Sequence, residues 1–313
     1  MPLRALSRSL FGAALLTLVP LASAQTPVPD GIPRALAQSR AVRVSDLHYE
    51  LHFTLVPHAP AAAATEELTF NLSDASQPLL LDFRDGAISS LTLNGTPIPA
   101  MIEHGHLVLP TADLRTGPNT VESKFTANVG PAGKAITSFE DKDDGSEYIY
   151  TLFVPMDASM AFPCFDQPDL KGRFTLTLSH PTAWSVISNT APSINESIGA
   201  VSETHFHQTE PIPTYLFAFA AGPFVSVHPT PGLPNVWVRK SKAAAAVSEV
   251  PEVQTTAADG IRYLSDYFAQ PFPFPKYEMV LIPGFAYGGM EHAGATFLRE
   301  ESVLFRTAPT ADN

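Results

Sequence analysis

Period-two alternation is the feature that most constrains this chain. Val42, Val44, then Leu47, Tyr49, Leu51, Phe53 and Leu55 are separated by polar residues, the repeat of a strand that buries one face. Similar short runs recur at 67–72, 79–83, 88–93, 106–109, 120–127, 147–153, 173–179 and 184–188. Turn formers such as Asn94-Gly95 and Gly117-Pro118-Asn119 separate them. Many short strands without a helical period imply a β-sandwich rather than a parallel α/β sheet. With 45% hydrophobic and 16% charged residues over 313 positions, the chain can fill a core and support about two domains.

The pattern changes after Pro229. Across Val250–Phe268, apolar residues fall at Val253, Ala257, Ile261, Leu264 and Phe268, a helical spacing. The prolines of 271–275 end that helix. Residues 277–282 then read as a buried strand, and Ala295 to Leu298 as another apolar segment after a glycine turn. The expected organisation is an export segment at 1–24, an extended proline-bearing leader at 25–40, a β domain at 41–228, and a mixed α and β domain beginning at 229–313.

The basic start with Arg4 and Arg8, the apolar run 11–21 and the Ala22-Ser23-Ala24 triplet form a cleavable signal, cut after Ala24. The apolar run is broken by Pro20 and is shorter than the ~20 residues a membrane span needs. A secreted or periplasmic protein without a stable membrane anchor is therefore expected. Cys164 is the single cysteine, so no internal disulfide forms, and its apolar neighbours make it a packing thiol rather than a nucleophile. Acidic residues outnumber basic ones 31 to 19, which argues against a nucleic-acid partner.

Tyr287-Gly288-Gly289-Met290-Glu291-His292 is the sharpest chemical feature. Glycines let backbone approach a ligand. A strand edge there could hold an extended peptide by main-chain hydrogen bonds, and Glu291 could pair with its α-ammonium group. Two histidine pairs, His104 with His106 and His205 with His207, lack accompanying ligands and read as surface strand residues. The tryptophans, Trp184 and Trp237, lie in apolar strand patterns and offer no platform for sugars.

Gly288-Gly289-Met290-Glu291 resembles the Gly-x-Met-Glu-Asn motif of the M1 (gluzincin) zinc aminopeptidases. The flanks Tyr267-Phe268, Pro271 to Lys276 and Ile282-Pro283 are similar to the family's approach to it. Asp157 to Leu170, containing Phe162-Pro163-Cys164-Phe165-Asp166-Gln167-Pro168, resembles the segment closing the family's first domain, and Ile187-Ser188-Asn189, Thr214-Tyr215-Leu216 and Gly222-Pro223-Phe224 follow in order.

This resemblance implies a saddle-like β-sandwich followed by the start of a thermolysin-like α+β domain, a peptide substrate, and Zn2+ as cofactor. The family's zinc ligands come from a helical His-Glu-x-x-His motif and a later glutamate, neither of which this sequence contains. The family places that helix shortly beyond the glycine-containing strand. The expectation is thus a chain that lacks the metal site and does not hydrolyse peptides alone, or else an exported, non-catalytic peptide-binding sandwich. Gly288, Gly289, Met290, Glu291 and His292 are the implied substrate-binding residues. Leu152 and Val154 stand where the family often carries glutamine and glutamate, and His292 replaces its asparagine, so amine recognition falls to Glu291 and the first-residue pocket becomes more apolar.

Overall fold

The computed structural model describes residues 28–304; the export segment and residues 305–313 lie outside the described residues. The leader does not stay extended. Helix α1 spans Arg34–Arg43, because 34–43 is rich in alanine, leucine, glutamine and arginine, all good helix formers. Pro33 stands at its amino-terminal boundary, while Arg40 and Arg43 lie in its last turn, where cations suit the helix dipole. Val42 therefore sits on this helix, exposed, and the first strand starts at Val44.

Strands β1 (Val44–Thr54), β2 (Ala61–Leu72), β3 (Leu79–Asp82), β4 (Gly86–Leu93), β5 (Thr96–Pro97), β6 (Ile102–Glu103), β7 (His106–Leu109) and β8 (Gly117–Gly130) open the first domain. β9 (Ile136–Glu140), β10 (Glu147–Thr151), β11 (Gly172–Pro181), β12 (Ser185–Ser188), β13 (Pro192–Ile198), β14 (Val201–Phe206) and β15 (Phe219–Gly222) complete it. The main sheet has twelve strands in the order β12-β15-β10-β9-β8-β2-β1-β11-β14-β13, with β4 also on β8 and β5 on β4. One edge of β8 pairs with β4 and then, at Val129 and Gly130, with β9, so the sheet curls. The sheet β3-β7-β6 contributes to the same core. β1 buries Val44, Leu47, Tyr49, Leu51 and Phe53, as its alternation requires.

A polar knot crosses this core. Arg40 donates to both carboxylate oxygens of Asp82, at 2.8 and 2.6 Å, and to the Leu80 carbonyl. His106 joins Asp82 at 2.7 Å, and the Asp166 amide donates to Asp82 at 2.9 Å. Burial raises the Asp82 pKa, but His106 and Arg40 outweigh it and hold the carboxyl below its ordinary value. Asp166, with weaker support from Ser159 and Thr214, is pushed up by burial.

The second sheet begins ahead of Pro229 with β16 (Phe224–Val227) and continues after it with β17 (Asn235–Arg239). After the short helix α2 (Ala243–Ala246) and helix α3 (Val250–Phe268) come β18 (Glu278–Ile282), β19 (Gly289–Met290) and β20 (Ala295–Arg299), in the order β16-β17-β18-β20-β19. β17, β18 and β20 are parallel, with β16 and β19 antiparallel at the two edges. Both faces are covered, which explains the continuous apolar run of β18. Val280 and Ile282 face Tyr148, Tyr150 and Ala220 of the first domain, while Met279 and Leu281 face α2 and α3. Only the first half of the expected α3 stripe is packed: Val253 and Ala257 meet the sheet, whereas Leu264 and Phe268 are exposed with Tyr263 and Tyr267. No helix among the described residues is long and apolar enough to cross a membrane.

Candidate functional site

The glycine motif forms the free edge of the second sheet. Gly289 pairs with Leu298 and Met290 with Phe297 of β20, and among the described residues β19 has no strand on its other side. Its outward N–H and C=O groups are the kind of edge that accepts an added peptide strand. Gly288 and Gly289 are exposed, Met290 is buried, and Glu291 is exposed again, so a single strand turn places the backbone, an apolar anchor and a carboxylate in sequence. Glu291 has no hydrogen-bond or ion-pair partner among the described residues. Its carboxylate is free to receive an ammonium group.

Met290 belongs to the apolar cluster that also holds Phe285, Tyr150 and Phe297, and Leu152 and Val154 pack against that same cluster. The positions expected to line the first-residue pocket thus lie on the apolar ground from which the edge strand rises. His292 turns inward instead. Its ring meets Phe297 edge-on at 4.6 Å, and neither nitrogen has a partner. Burial alone lowers its pKa to about 3, so the imidazole is neutral. Its side chain is buried and packs under the turn.

Three residues that sequence patterns did not single out for the site hold this arrangement. Asn189 donates to the carbonyls of Leu216 and Ala293, at 2.8 and 2.9 Å, and accepts from the Ala218 amide, tying the turn after His292 to the first domain. Gly294 lies at φ +73°, where an added Cβ would sit 2.3 Å from the Asn189 carbonyl oxygen; only glycine fits. Arg299 lies beside the glycines at the end of β20 and donates to carbonyls on the approach to them. Asn189 was visible as part of a resembling segment, but the pairing of residues 104 apart has no local signal.

The other candidates do not form a site. His104 lies in a turn at φ 50°. His106 is not on the surface as expected: Asp82 and the Gly31 carbonyl, both at 2.7 Å, hold its two nitrogens in the knot. His205 is held by Thr177 at 3.0 Å and Glu203 at 3.0 Å, and His207 is exposed. Cys164 is fully buried, and burial together with Asp166, Asp82 and Glu66 pushes its thiol pKa well up, as suits a packing residue. No group of three or more His, Cys, Asp or Glu among the described residues could hold a metal ion. The described residues therefore do not fit zinc.

The family model of the peptidase M1 N-terminal domain matches residues 45–216, and that of the peptidase family M1 domain matches residues 253–313. Aminopeptidase N of Streptomyces lividans is 28% identical over 294 residues, covering 89% of this chain and 33% of that protein. Aminopeptidase M1-C of Oryza sativa subsp. japonica is 30% identical over 295 residues, covering 90% of this chain and 33% of that protein. Glutamyl aminopeptidase of Sus scrofa is 26% identical over 286 residues, at 84% and 30%. The chain spans about a third of the length of these relatives. A curled β domain, a second sheet ending in a glycine edge, and two family models matched in that order place this chain in peptidase family M1.

Proposed function

We propose that this chain is the substrate-capturing portion of a zinc metalloaminopeptidase, receiving the amino end of a peptide along β19 and pairing its α-ammonium group with Glu291. The observation that carries the reading is the unpartnered Glu291 carboxylate at the end of an exposed strand edge. The relatives' names, all aminopeptidases, support the same chemistry. Val154 supplies no second carboxylate, so Glu291 acts alone on the amine, and Leu152 favours an apolar first residue.

Zinc-dependent hydrolysis belongs to the same proposal but to residues other than these, and the chain alone binds peptides without cleaving them. The described residues include no group of three or more His, Cys, Asp or Glu that could hold a metal ion, which supports this reading. Export through residues 1–24, with a mature start at Gln25, completes it; sequencing the amino terminus of the secreted protein checks that point.

Calorimetric titration with a leucyl peptide and its N-acetylated form tests the capture mode. The free amine should bind about tenfold more tightly, the order of one charge-assisted contact, and Glu291→Ala should erase that difference. Equal affinity for both peptides would refute the assignment. Hydrolysis by the chain with added zinc would refute the division of labour.

A further inference from the structure

We propose that Arg299 is a positioning residue for peptide capture, setting the backbone of the glycine edge without touching the peptide. The inference rests on the capture reading above. Residues 285–288 present four successive carbonyls, and Arg299 engages all of them. Its Nε donates to Phe285 and Tyr287, both at 3.1 Å, its Nη2 to Ala286 at 2.8 Å, and its backbone amide to Gly288 at 3.0 Å. No carboxylate pairs with Arg299 among the described residues, so its guanidinium is devoted to this loop.

The edge needs such an outside restraint. A Cβ at Gly288 would meet nothing within 4 Å, so packing does not fix the residue, and glycine itself constrains its backbone least of all residues. An edge that must match a peptide strand has to hold one conformation before the peptide arrives, or ordering it weakens binding. Arg299 is itself well anchored. It ends β20 opposite Ile282, and the next residue, Glu300, is bound by both Nε and Nη2 of Arg239 at 2.7 and 2.6 Å. A lysine at 299 would keep the charge but could not span three carbonyls with one planar fork.

The test compares wild type, Arg299→Lys and Arg299→Met by hydrogen exchange and by titration with leucyl and arginyl peptides. Both variants should speed amide exchange across residues 285–290 while β18 keeps its protection, and should weaken both peptides about tenfold, the scale of a lost preorganisation, without changing the ratio between them. Lysine should be the milder change. Protection of β18 separates this local effect from unfolding. The proposal falls if exchange across 285–290 is unchanged, if binding is unaffected, or if only one peptide suffers, since that would make Arg299 a specificity contact. Failure of the wild type to bind either peptide would instead remove the capture reading itself, and this proposal with it.

Discussion

Two strands of the second sheet, interior β17 and edge β19, handle charge in opposite ways. At the β17 corner, Arg239 is 7% exposed and is met by Glu300 at 2.6 Å and Asp141 at 2.7 Å, with its guanidinium over the Phe139 ring. At the β19 edge Glu291 faces solvent with no partner among the described residues. A buried charge has to be satisfied internally, or folding bears its desolvation; an exposed one can stay single and keep its affinity for something else. The Arg40–Asp82–His106 knot follows the first rule on a larger scale. Charges that hold this protein together are closed, whereas Glu291 is offered outward where the backbone is also open.

The contrast breaks most visibly at the knot. Asp82→Ala should strand Arg40 in the core and destabilise the chain by about 3–5 kcal/mol, read from urea unfolding. The pH dependence follows from the depressed Asp82 pKa. Its contribution is complete above the ordinary aspartate value of 3.8 and is lost as pH falls below it, so wild type should shed stability in acid that the variant no longer has to lose. Gly294→Ala comes next, at about 1–3 kcal/mol, from a strained backbone and a clash with the Asn189 carbonyl; a cost below that scale would show that the joint is softer than its geometry.

Smaller effects sharpen the comparison. Glu291→Ala should leave the unfolding midpoint within about 0.5 kcal/mol of wild type while abolishing discrimination for the free amine, separating function from stability at one residue. Glu66 is the exception that tests the rule, because its buried carboxyl has only a 3.3 Å bond from Ser123 and burial raises its pKa well above 4.5. Stability should therefore fall as pH rises from 4.5, and Glu66→Gln should flatten that decline; an unchanged profile would mean that another group supplies it. Last, Leu152→Gln should lower the preference for a leucyl over an arginyl first residue by no more than about 1–3 kcal/mol, measured as a ratio of binding constants.

Alternation made the first domain readable: β1, β2 and β8 follow from residue spacing, and the apolar run of β18 follows from being covered twice. Helix α1 was hidden because its sequence lacks an apolar stripe. What docks it is Arg40 reaching Asp82, 42 residues away, and no periodicity encodes such a pair. The glycine motif marked the candidate site, since backbone openness is written in residue type. Its supports were not: Arg299 reaches the carbonyls of a loop before β19, and Asn189 joins carbonyls of both domains, contacts that exist only in the folded chain. Histidine patterns misled in one case, because two residues apart on paper became a turn at His104 and a buried partner at His106.

The parallel ladder between β1 and β11, running from Leu47 opposite Gly172 to Thr54 opposite Ser179, carries a consequence for assembly. The first strand made is an interior member of the finished sheet, and one of its two neighbours arrives more than a hundred residues later. Ribosome-bound chain can zip β1 to β2, yet that hairpin must wait with one flank uncovered until β11 emerges. Such distant pairing slows closure. The newborn protein therefore passes through a stage in which β1 is paired on one side only, with its other flank uncovered until β11 is made.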